Sequence, residues 1–286
     1  MVPDETRTGV ARGLYLDLLM RTLTGAVAED GDVILGGVRT SGSSRHWKRW
    51  ADRAGRLARC FGFEIAYKKP YDPERRSMGR DWPARSETMI GLERMRNIQF
   101  CVESVIRDRI PGDLIEAGVW RGGATIFMRG ILEAYGDTSR VVWVADSFAG
   151  VPPPAAALYP ADDGNGLHRS GGLAVSVDEV RHNFERFGLL DSQVQFLVGW
   201  FKDTLRTAPI EKLAVMRLDG DLYESTWQAL EALYPKLAPG GFCIVDDYGD
   251  AMVGCQQAIH HYRMAHDITE EIVDIDGIGA YWRKRL

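Results

Sequence analysis

The sequence is poor in cysteine, with four in 286 residues. Cys60, Cys101, Cys243 and Cys255 lie far apart along the chain, whereas disulfide frameworks and zinc sites need closely spaced cysteine pairs. The scatter therefore predicts reduced, buried thiols and argues against a metal site built on cysteine.

Long apolar runs and a secretion signal are also missing. No stretch approaches the roughly 20 apolar residues that a transmembrane helix needs. Residues 1–5 show no basic region that leads into an apolar one, as a signal peptide would. We therefore expect a cytoplasmic protein that does not enter a membrane.

The sequence has no overall excess of positive charge. It carries 35 Lys and Arg against 40 Asp and Glu, a net charge of −5, so nucleic acid is not an expected partner. One stretch departs from this balance, because twelve Lys or Arg face only four acids between Arg39 and Arg80. This basic stretch is either a solvated helix face with a linker, or a patch that faces an acidic ligand or a partner subunit.

Near the N-terminus, apolar residues recur at helical spacing and predict a helix over about residues 13–27. The residues of this stripe are Leu14, Leu18, Leu19, Leu23 and Val27. Such a stripe is typical of a core face or a subunit contact, so we expect a homo-oligomer.

From Asp113 onward, short apolar runs alternate with helix-length segments. The runs cover residues 114–119, 141–146, 194–198, 213–219 and 241–247, and the intervening helices 124–135, 176–187 and 225–234. This alternation is typical of strands buried on both faces of a parallel sheet. We predict a doubly wound, mostly parallel α/β sheet, closed by an antiparallel hairpin over residues 271–276 and 279–284. Residues 1–100 are predicted to form an N-terminal helical and lid segment, and residues 101–286 the main domain.

Acidic residues follow almost every predicted strand. They are Glu116, Asp146, Asp219, Asp221, Asp246 and Asp247. Ligands of such sheets bind at the carboxyl ends of the strands, where these side chains would meet and repel one another. We expect a bound cation, and a cofactor with hydroxyl and amine donors, to offset this repulsion.

The segment after the first strand, Glu-Ala-Gly-Val-Trp-Arg-Gly-Gly, lacks the G-x-G-x-x-G spacing of a dinucleotide site. Gly118 would allow a ligand to approach the backbone closely, although the segment could also be a simple strand-to-helix turn. Glu116 suits an ammonium group, and Asp146 suits ribose hydroxyls. Trp200 and Phe201 could flank an adenine or belong to the core. Together these features favour S-adenosylmethionine.

Three aspartates at adjacent strand ends can form an oxygen site for Mg²⁺: Asp219, Asp246 and Asp247. Such an ion lowers the pKa of a bound hydroxyl, and a neighbouring carboxylate such as Asp221 can then accept the proton. The alternative is that Asp219 and Asp246 only cap loops.

Residues 149–174 form a long loop between the second strand and the next helix, which is typical of a lid or a substrate-binding loop. His168 within this loop is either a catalytic base or sugar contact, or simply an exposed histidine.

Several of these segments resemble the macrocin O-methyltransferase family, whose members methylate sugar hydroxyls on antibiotics. The resemblance lies in residues 112–123, 143–148, 199–205, 217–225 and 245–248, with further likeness at 14–19 and 88–91. It implies a class I methyltransferase fold that uses S-adenosylmethionine and Mg²⁺.

The resemblance also implies roles for particular residues. The metal ligands would be Asp219, Asp246 and Asp247, and the general base Asp221. Cofactor contacts would fall on Thr88, Met89, Glu116, Asp146, Ser147, Gly199, Trp200 and Phe201, with Gly118 and Asp219 beside them.

The basic stretch looks longer and more charged than is usual in this family, which leaves the acceptor open. Its arginines could meet the diphosphate of a nucleotide-sugar or line a subunit interface. Transfer to a sugar hydroxyl, on a nucleotide-sugar or a finished glycoside, is the favoured hypothesis. The alternatives are a catechol or phenol O-methyltransferase and a non-catalytic cofactor-binding protein.

Overall fold

The apolar segments predicted as strands form one sheet in the computed structural model, which describes residues 5–29, 32–34, 46–249 and 254–285. Two arginines of the basic stretch, Arg39 and Arg45, lie outside the described residues. The strands are β1 (Asp32–Ile34), β2 (Ala66–Lys68), β3 (Asp113–Ala117), β4 (Val142–Asp146), β5 (Val194–Val198), β6 (Leu213–Leu218), β7 (Leu237–Val245), β8 (Val273–Asp274) and β9 (Ala280–Arg283).

Within the described residues the main sheet has seven strands in the order β5-β4-β3-β6-β7-β9-β8, and β1 pairs with β2 in a separate ribbon. Strands β3 to β7 are parallel, whereas β9 and β8 run antiparallel to their neighbours. The doubly wound, class I methyltransferase-like fold with a C-terminal antiparallel hairpin is thus confirmed. Because the strand order reverses between β3 and β6, a crevice for ligands opens at their carboxyl ends.

Helices cover both faces of this sheet. The helices of the described residues are α1 (Glu5–Leu23), α2 (His46–Cys60), α3 (Pro73–Ser77), α4 (Leu92–Arg107), α5 (Gly123–Tyr135), α6 (Val177–Arg186), α7 (Phe201–Thr204), α8 (Tyr223–Leu233) and α9 (Cys255–Ala265). Successive strand residues point to opposite faces, so Leu114 packs in the cluster with α1, α4, α5 and α6, and Ile115 in the cluster with α8 and α9. In the described part of the chain, we find no helix with the length and apolar character needed to cross a bilayer.

The N-terminal helix has other bounds than predicted. It starts at Glu5 and ends at Leu23, because Gly25 (φ 73°) turns the chain back with its N–H bonded to the carbonyl of Thr22. Leu16 and Leu23 are buried in the cluster that also contains α5, whereas Leu14 and Leu18 face outward. The predicted boundary near residue 100 falls inside α4, and the division into two domains stays a prediction.

Strand β7 also begins earlier than predicted. The predicted run starts at residue 241, whereas Pro239 and Gly240 already lie inside the strand, where its pairing to β6 shows a register shift. The extra residues form a bulge in the strand and do not end its pairing. A bulge and a true turn contain the same residue types, so the sequence pattern cannot distinguish them.

Candidate active site

A cavity of about 1250 Å³ opens at the carboxyl ends of β3, β4, β6 and β7. Pockets for a single small molecule usually measure about 300–1,000 Å³, so this cavity has room for two ligands side by side. The loop 149–174 and the segment around Thr88 form its outer walls.

The loops that follow the two central strands, β3 and β6, are in direct contact at Gly118. This residue has φ 92°, and a Cβ atom there would lie 1.8 Å from the carbonyl oxygen of Asp219. Only glycine therefore fits, because a side chain would push the loop after β3 away from the loop after β6. The contact keeps the predicted cofactor loop and the predicted metal loop at a fixed distance.

Glu116 is buried at the end of β3 and lines the cavity. Its Oε1 accepts a hydrogen bond from Arg217, and its Oε2 has no hydrogen-bond partner in the part of the chain that the structure describes. Burial raises the pKa of Glu116 to about 8, although Arg217 acts in the opposite direction. A ligand ammonium group would supply the partner that Oε2 lacks.

Asp146 at the end of β4 is held by backbone donors. Its Oδ2 accepts from the N–H of Val119 at 2.8 Å, and its Oδ1 from the N–H of Phe148 at 2.8 Å. Burial raises the pKa of Asp146, and these N–H groups oppose the rise. An ionised carboxylate has about four acceptor sites, so the fixed group can still accept from ligand hydroxyls.

Asp219, Asp246 and Asp247 come together as their positions after adjacent strands predict. Each offers one carboxylate oxygen, and these three oxygens lie within 4.8 Å of one another. Burial and the neighbouring carboxylates hold the pKa of Asp247 well above its usual range, and burial with Asp246 raises that of Asp219 to about 6. Three carboxylate oxygens clustered in this way are a donor set that fits a hard divalent cation.

Two buried arginines neutralise part of this cluster, which the sequence analysis did not anticipate. Arg217, in the middle of the apolar strand β6, is 1% exposed and donates to Glu116, to Asp246 and, at 2.8 Å, to Asp219. Arg94 of α4 donates to the other oxygen of Asp246 at 2.6 Å. These arginines therefore offset part of the repulsion, and the contribution of a bound cation and a cofactor stays a prediction. The signal in the sequence was an arginine within a strand that is otherwise apolar.

Asp221 lies beside the metal candidates, on the loop between β6 and α8. Its backbone is in the left-handed region (φ 56°), and its N–H donates to Asp247 Oδ2 at 3.2 Å. The residue lines the cavity. A backbone conformation of this kind costs about 1 kcal/mol or more and persists where contacts enforce it.

Most predicted cofactor residues line the same cavity: Thr88, Met89, Glu116, Gly118, Asp146, Ser147, Trp200, Phe201 and Asp219. Trp200 and Phe201 are half-buried and reach the cavity, so their rings are not simply core. Gly199 is not among the lining residues, but its turn (φ 141°) leads from β5 to Trp200.

His168 lies in a short 3-10 helix of the long loop, beside but not among the residues that line the cavity. Its Nε2 accepts from Arg169 Nε at 3.3 Å, and its Nδ1 is buried without a partner among the described residues. Its neighbours Leu167 and Arg169 do line the cavity. A catalytic role for His168 stays a prediction.

Between Arg53 and Arg80, no basic side chain of the basic stretch lines the cavity. Arg76 instead points inward, is fully buried and donates to the carbonyls of Met89 and Ile90 at 2.5 and 2.9 Å. This arginine therefore supports the wall that carries Met89 and is not part of a solvated face.

Comparison with known proteins gives a consistent result. The model of the macrocin-O-methyltransferase (TylF) family matches residues 12–284. The chain is 48% identical over 274 residues to the 8-demethyl-8-(2,3-dimethoxy-alpha-L-rhamnosyl)-tetracenomycin-C 4'-O-methyltransferase of Streptomyces olivaceus, and the match covers 96% of this chain and 93% of that protein. It is 45% identical over 280 residues to the mycinamicin III 3''-O-methyltransferase of Micromonospora griseorubida, at 97% and 98% coverage.

A solved structure agrees with these matches. The O-methyltransferase NovP superposes with a TM-score of 0.81 at 47% identity, covering 96% of this chain and 100% of that one.

Proposed function

The chain belongs to the macrocin O-methyltransferase family and is an O-methyltransferase of sugar groups in antibiotic biosynthesis. We propose that it moves a methyl group from S-adenosylmethionine to a hydroxyl of a finished, uncharged glycoside. We further propose that Mg²⁺ binds at the aspartate cluster in this reaction. The observation that carries the proposal is that Glu116, Asp146 and the cluster Asp219, Asp246 and Asp247 all line one cavity with room for two ligands.

The residues on the β3 and β4 side suit the methyl donor. Glu116 Oε2, which lacks a partner among the described residues, would accept from the ammonium group of the methionine part. Asp146, fixed by the N–H groups of Val119 and Phe148, would accept from the ribose hydroxyls. The half-buried rings of Trp200 and Phe201 would flank the adenine.

The residues on the β6 and β7 side suit the acceptor. Asp219, Asp246 and Asp247 would hold Mg²⁺, which when bound lowers the pKa of a sugar hydroxyl. Asp221, next to Asp247, would take the proton from that hydroxyl. The hydroxyl oxygen then forms its bond to the methyl carbon as the carbon–sulfur bond breaks, and S-adenosylhomocysteine leaves.

The charge of the cavity supports a finished glycoside over a nucleotide-sugar. Among the described residues that line the cavity, eight are acidic and three, Arg94, Arg169 and Lys202, are basic. Arg94 is already engaged by Asp246 and Asp276, at 2.6 and 3.0 Å. A diphosphate beside those of the carboxylates that are ionised would bring like charges together, which disfavours a nucleotide-sugar.

An apolar wall in the same cavity suits an aglycone. It is formed by Trp82, Val151, Pro152, Pro153, Leu167, Leu173 and Ile278. Such a surface binds a rigid, apolar aglycone by burying it from water, which a nucleotide cannot exploit as well.

Labelled S-adenosylmethionine, Mg²⁺ and three acceptors test this proposal: a rhamnosylated polyketide, the corresponding dTDP-sugar and a catechol. We expect kcat/KM for the glycoside to exceed that for the dTDP-sugar by at least about 100-fold, because of the like-charge cost. A preference for the dTDP-sugar would contradict the assignment of the acceptor. Transfer to the catechol alone would favour a phenol O-methyltransferase.

We also infer that a second copy of the chain covers the outward face of α1. Val10, Leu14 and Leu18 are 61%, 68% and 57% exposed there, although they are apolar. Clustered exposed apolar residues mark association surfaces in soluble proteins. The methyl transfer proposed above does not depend on this inference.

Light scattering on a sizing column tests this inference with the double variant Leu14→Glu, Leu18→Glu. We expect the natural protein to run as a dimer or larger and the variant as a monomer, because two charges would be buried at the contact. Met264→Glu is the matched control, since Met264 is a 76% exposed apolar residue on α9. Equal masses for all three proteins would contradict the inference.

A further inference from the structure

Helix α8 begins directly after the loop that carries Asp219 and Asp221, and its own N-cap residue cannot cap it. That residue is Leu222, whose side chain has no hydrogen-bond acceptor. The first N–H groups of a helix have no partner within the helix and need one from elsewhere. The N–H groups of Tyr223 and Glu224 are in this position.

Asp162, 61 positions before Tyr223 in the chain, supplies the missing cap. Its Oδ1 accepts from the Tyr223 N–H at 2.7 Å and its Oδ2 from the Glu224 N–H at 3.0 Å. Asp162 is 1% exposed, and its negative charge is favourable at a helix N-terminus. The contact is tight, since a Cβ atom on Gly254 would lie 2.7 Å from Asp162 Oδ1.

The two sides of this contact both belong to the cavity. Directly after Asp162, residues 163–167 of the long loop line it, and so does Asp221, two residues before Tyr223. The ring of Tyr159, three residues before Asp162, packs 5.8 Å from the ring of Tyr223. One buried carboxylate thus joins the outer wall of the cavity to the loop with the proposed base.

We propose that Asp162 is a positioning residue for methyl transfer. Its attachment to the start of α8 holds the loop 149–174 closed over the acceptor, and in the same contact fixes the backbone that presents Asp221. The proposal rests on the proposed function, because it assigns Asp221 to the acceptor. Asp163, the next residue, is exposed and makes no such contact with α8, so the role is specific to Asp162.

The variants Asp162→Ala and Asp162→Asn test the proposal, with Asp72→Ala as matched control. Asp72 also caps a helix with two hydrogen bonds, since its Oδ1 accepts from the N–H groups of Glu74 and Arg75 of α3 at 3.1 Å, and it does not line the cavity. Each alanine variant therefore loses two capping hydrogen bonds, but only Asp162→Ala loses them next to the cavity. Steady-state kinetics, binding of S-adenosylhomocysteine and hydrogen exchange of residues 163–173 are measured for all three.

For Asp162→Ala we expect kcat to fall about 10- to 100-fold, because a small displacement of a reacting group has an effect of this size. The KM for the acceptor should rise, the affinity for S-adenosylhomocysteine should stay, and residues 163–173 should exchange faster. Asp162→Asn keeps one acceptor oxygen, so its kcat, its KM and its exchange rates should lie between those of the natural protein and those of Asp162→Ala. Asp72→Ala should change none of these quantities.

Kinetics of Asp162→Ala equal to those of Asp72→Ala would overturn the proposal, as would unchanged exchange of residues 163–173. A fall in S-adenosylhomocysteine affinity parallel to that in kcat would also overturn it, because it would indicate general loss of structure. Hydrogen exchange does not need an acceptor. If no sugar is methylated, the proposed function fails, while the exchange data still decide whether Asp162 holds the loop.

Discussion

Replacing Asp247 with asparagine is expected to lower kcat for methyl transfer by about 10³-fold at saturating Mg²⁺, because the loss of one metal ligand removes several kcal/mol of stabilisation. The affinity for S-adenosylhomocysteine should not change, since Asp247 lies on the β6 and β7 side of the cavity. Asp247 is a sharper choice than Asp246. Removal of Asp246 would also take from the buried cations Arg94 and Arg217 the one carboxylate that they share.

The same variant is expected to gain stability when no divalent cation is present. Burial among carboxylates raises the pKa of Asp247 well above its usual range, so the folded protein holds this proton more tightly than the unfolded chain does. The contribution of Asp247 to the stability of the natural protein should therefore fall as the pH rises above the unfolded value of 3.8. An asparagine side chain does not ionise, so the Asp247→Asn variant should lack this contribution, while Glu116 and Asp219, whose pKa values burial also raises, keep theirs.

Thermal unfolding at neutral pH without Mg²⁺ measures the gain in stability of the variant, and the same measurement with Mg²⁺ measures the stabilisation by the bound ion. Mg²⁺ should raise the Tm of the natural protein and leave that of Asp247→Asn almost unchanged. Asp113→Asn is the control, because Asp113 lies at the amino end of β3, on the opposite edge of the sheet. An equal Mg²⁺ shift in natural protein and Asp247→Asn would contradict the metal site.

Replacing Arg217 with methionine is expected to destabilise the fold by about 3–5 kcal/mol, the usual cost of breaking a buried ion pair. Glu116, Asp219 and Asp246 would then remain buried close together without their common cation. For a domain of this size the Tm should fall by about 6–20 °C. Lysine is no substitute, because its compact ammonium group lacks the planar, rigid fork of donors with which the guanidinium reaches three carboxylates.

Urea unfolding of a double-mutant cycle tests the cause of this loss. Glu116→Gln removes one of the three carboxylates, so the double variant Arg217→Met, Glu116→Gln should be more stable than Arg217→Met alone. We expect a coupling free energy of about 1–3 kcal/mol, typical of residues in one ion-pair network. Additive effects would show that Arg217 acts through packing and not through its charge.

The sheet and the aspartate cluster could be predicted because their signals are local. An apolar run of five or six residues indicates a buried strand, and the carboxyl ends of parallel strands meet at one edge. Asp219, Asp246 and Asp247 follow such runs directly, and so their proximity follows from the sequence pattern alone.

The partners of these carboxylates could not be predicted, because their contacts join distant parts of the chain. Arg94 bonds to Asp246 and Asp276, which are 152 and 182 positions away. Asp162 stands in a segment rich in Gly and Asp that is typical of an exposed loop, yet it is buried against α8. Only tertiary packing decides which acid in such a loop turns inward.

Methyl transfer to a glycoside in the presence of EDTA, followed by addition of Mg²⁺, tests the central claim most directly. The account predicts that excess EDTA abolishes transfer from S-adenosylmethionine, that S-adenosylhomocysteine still binds, and that Mg²⁺ restores the full rate. Full activity in excess EDTA would contradict it, because the three aspartates would then have no ion to hold.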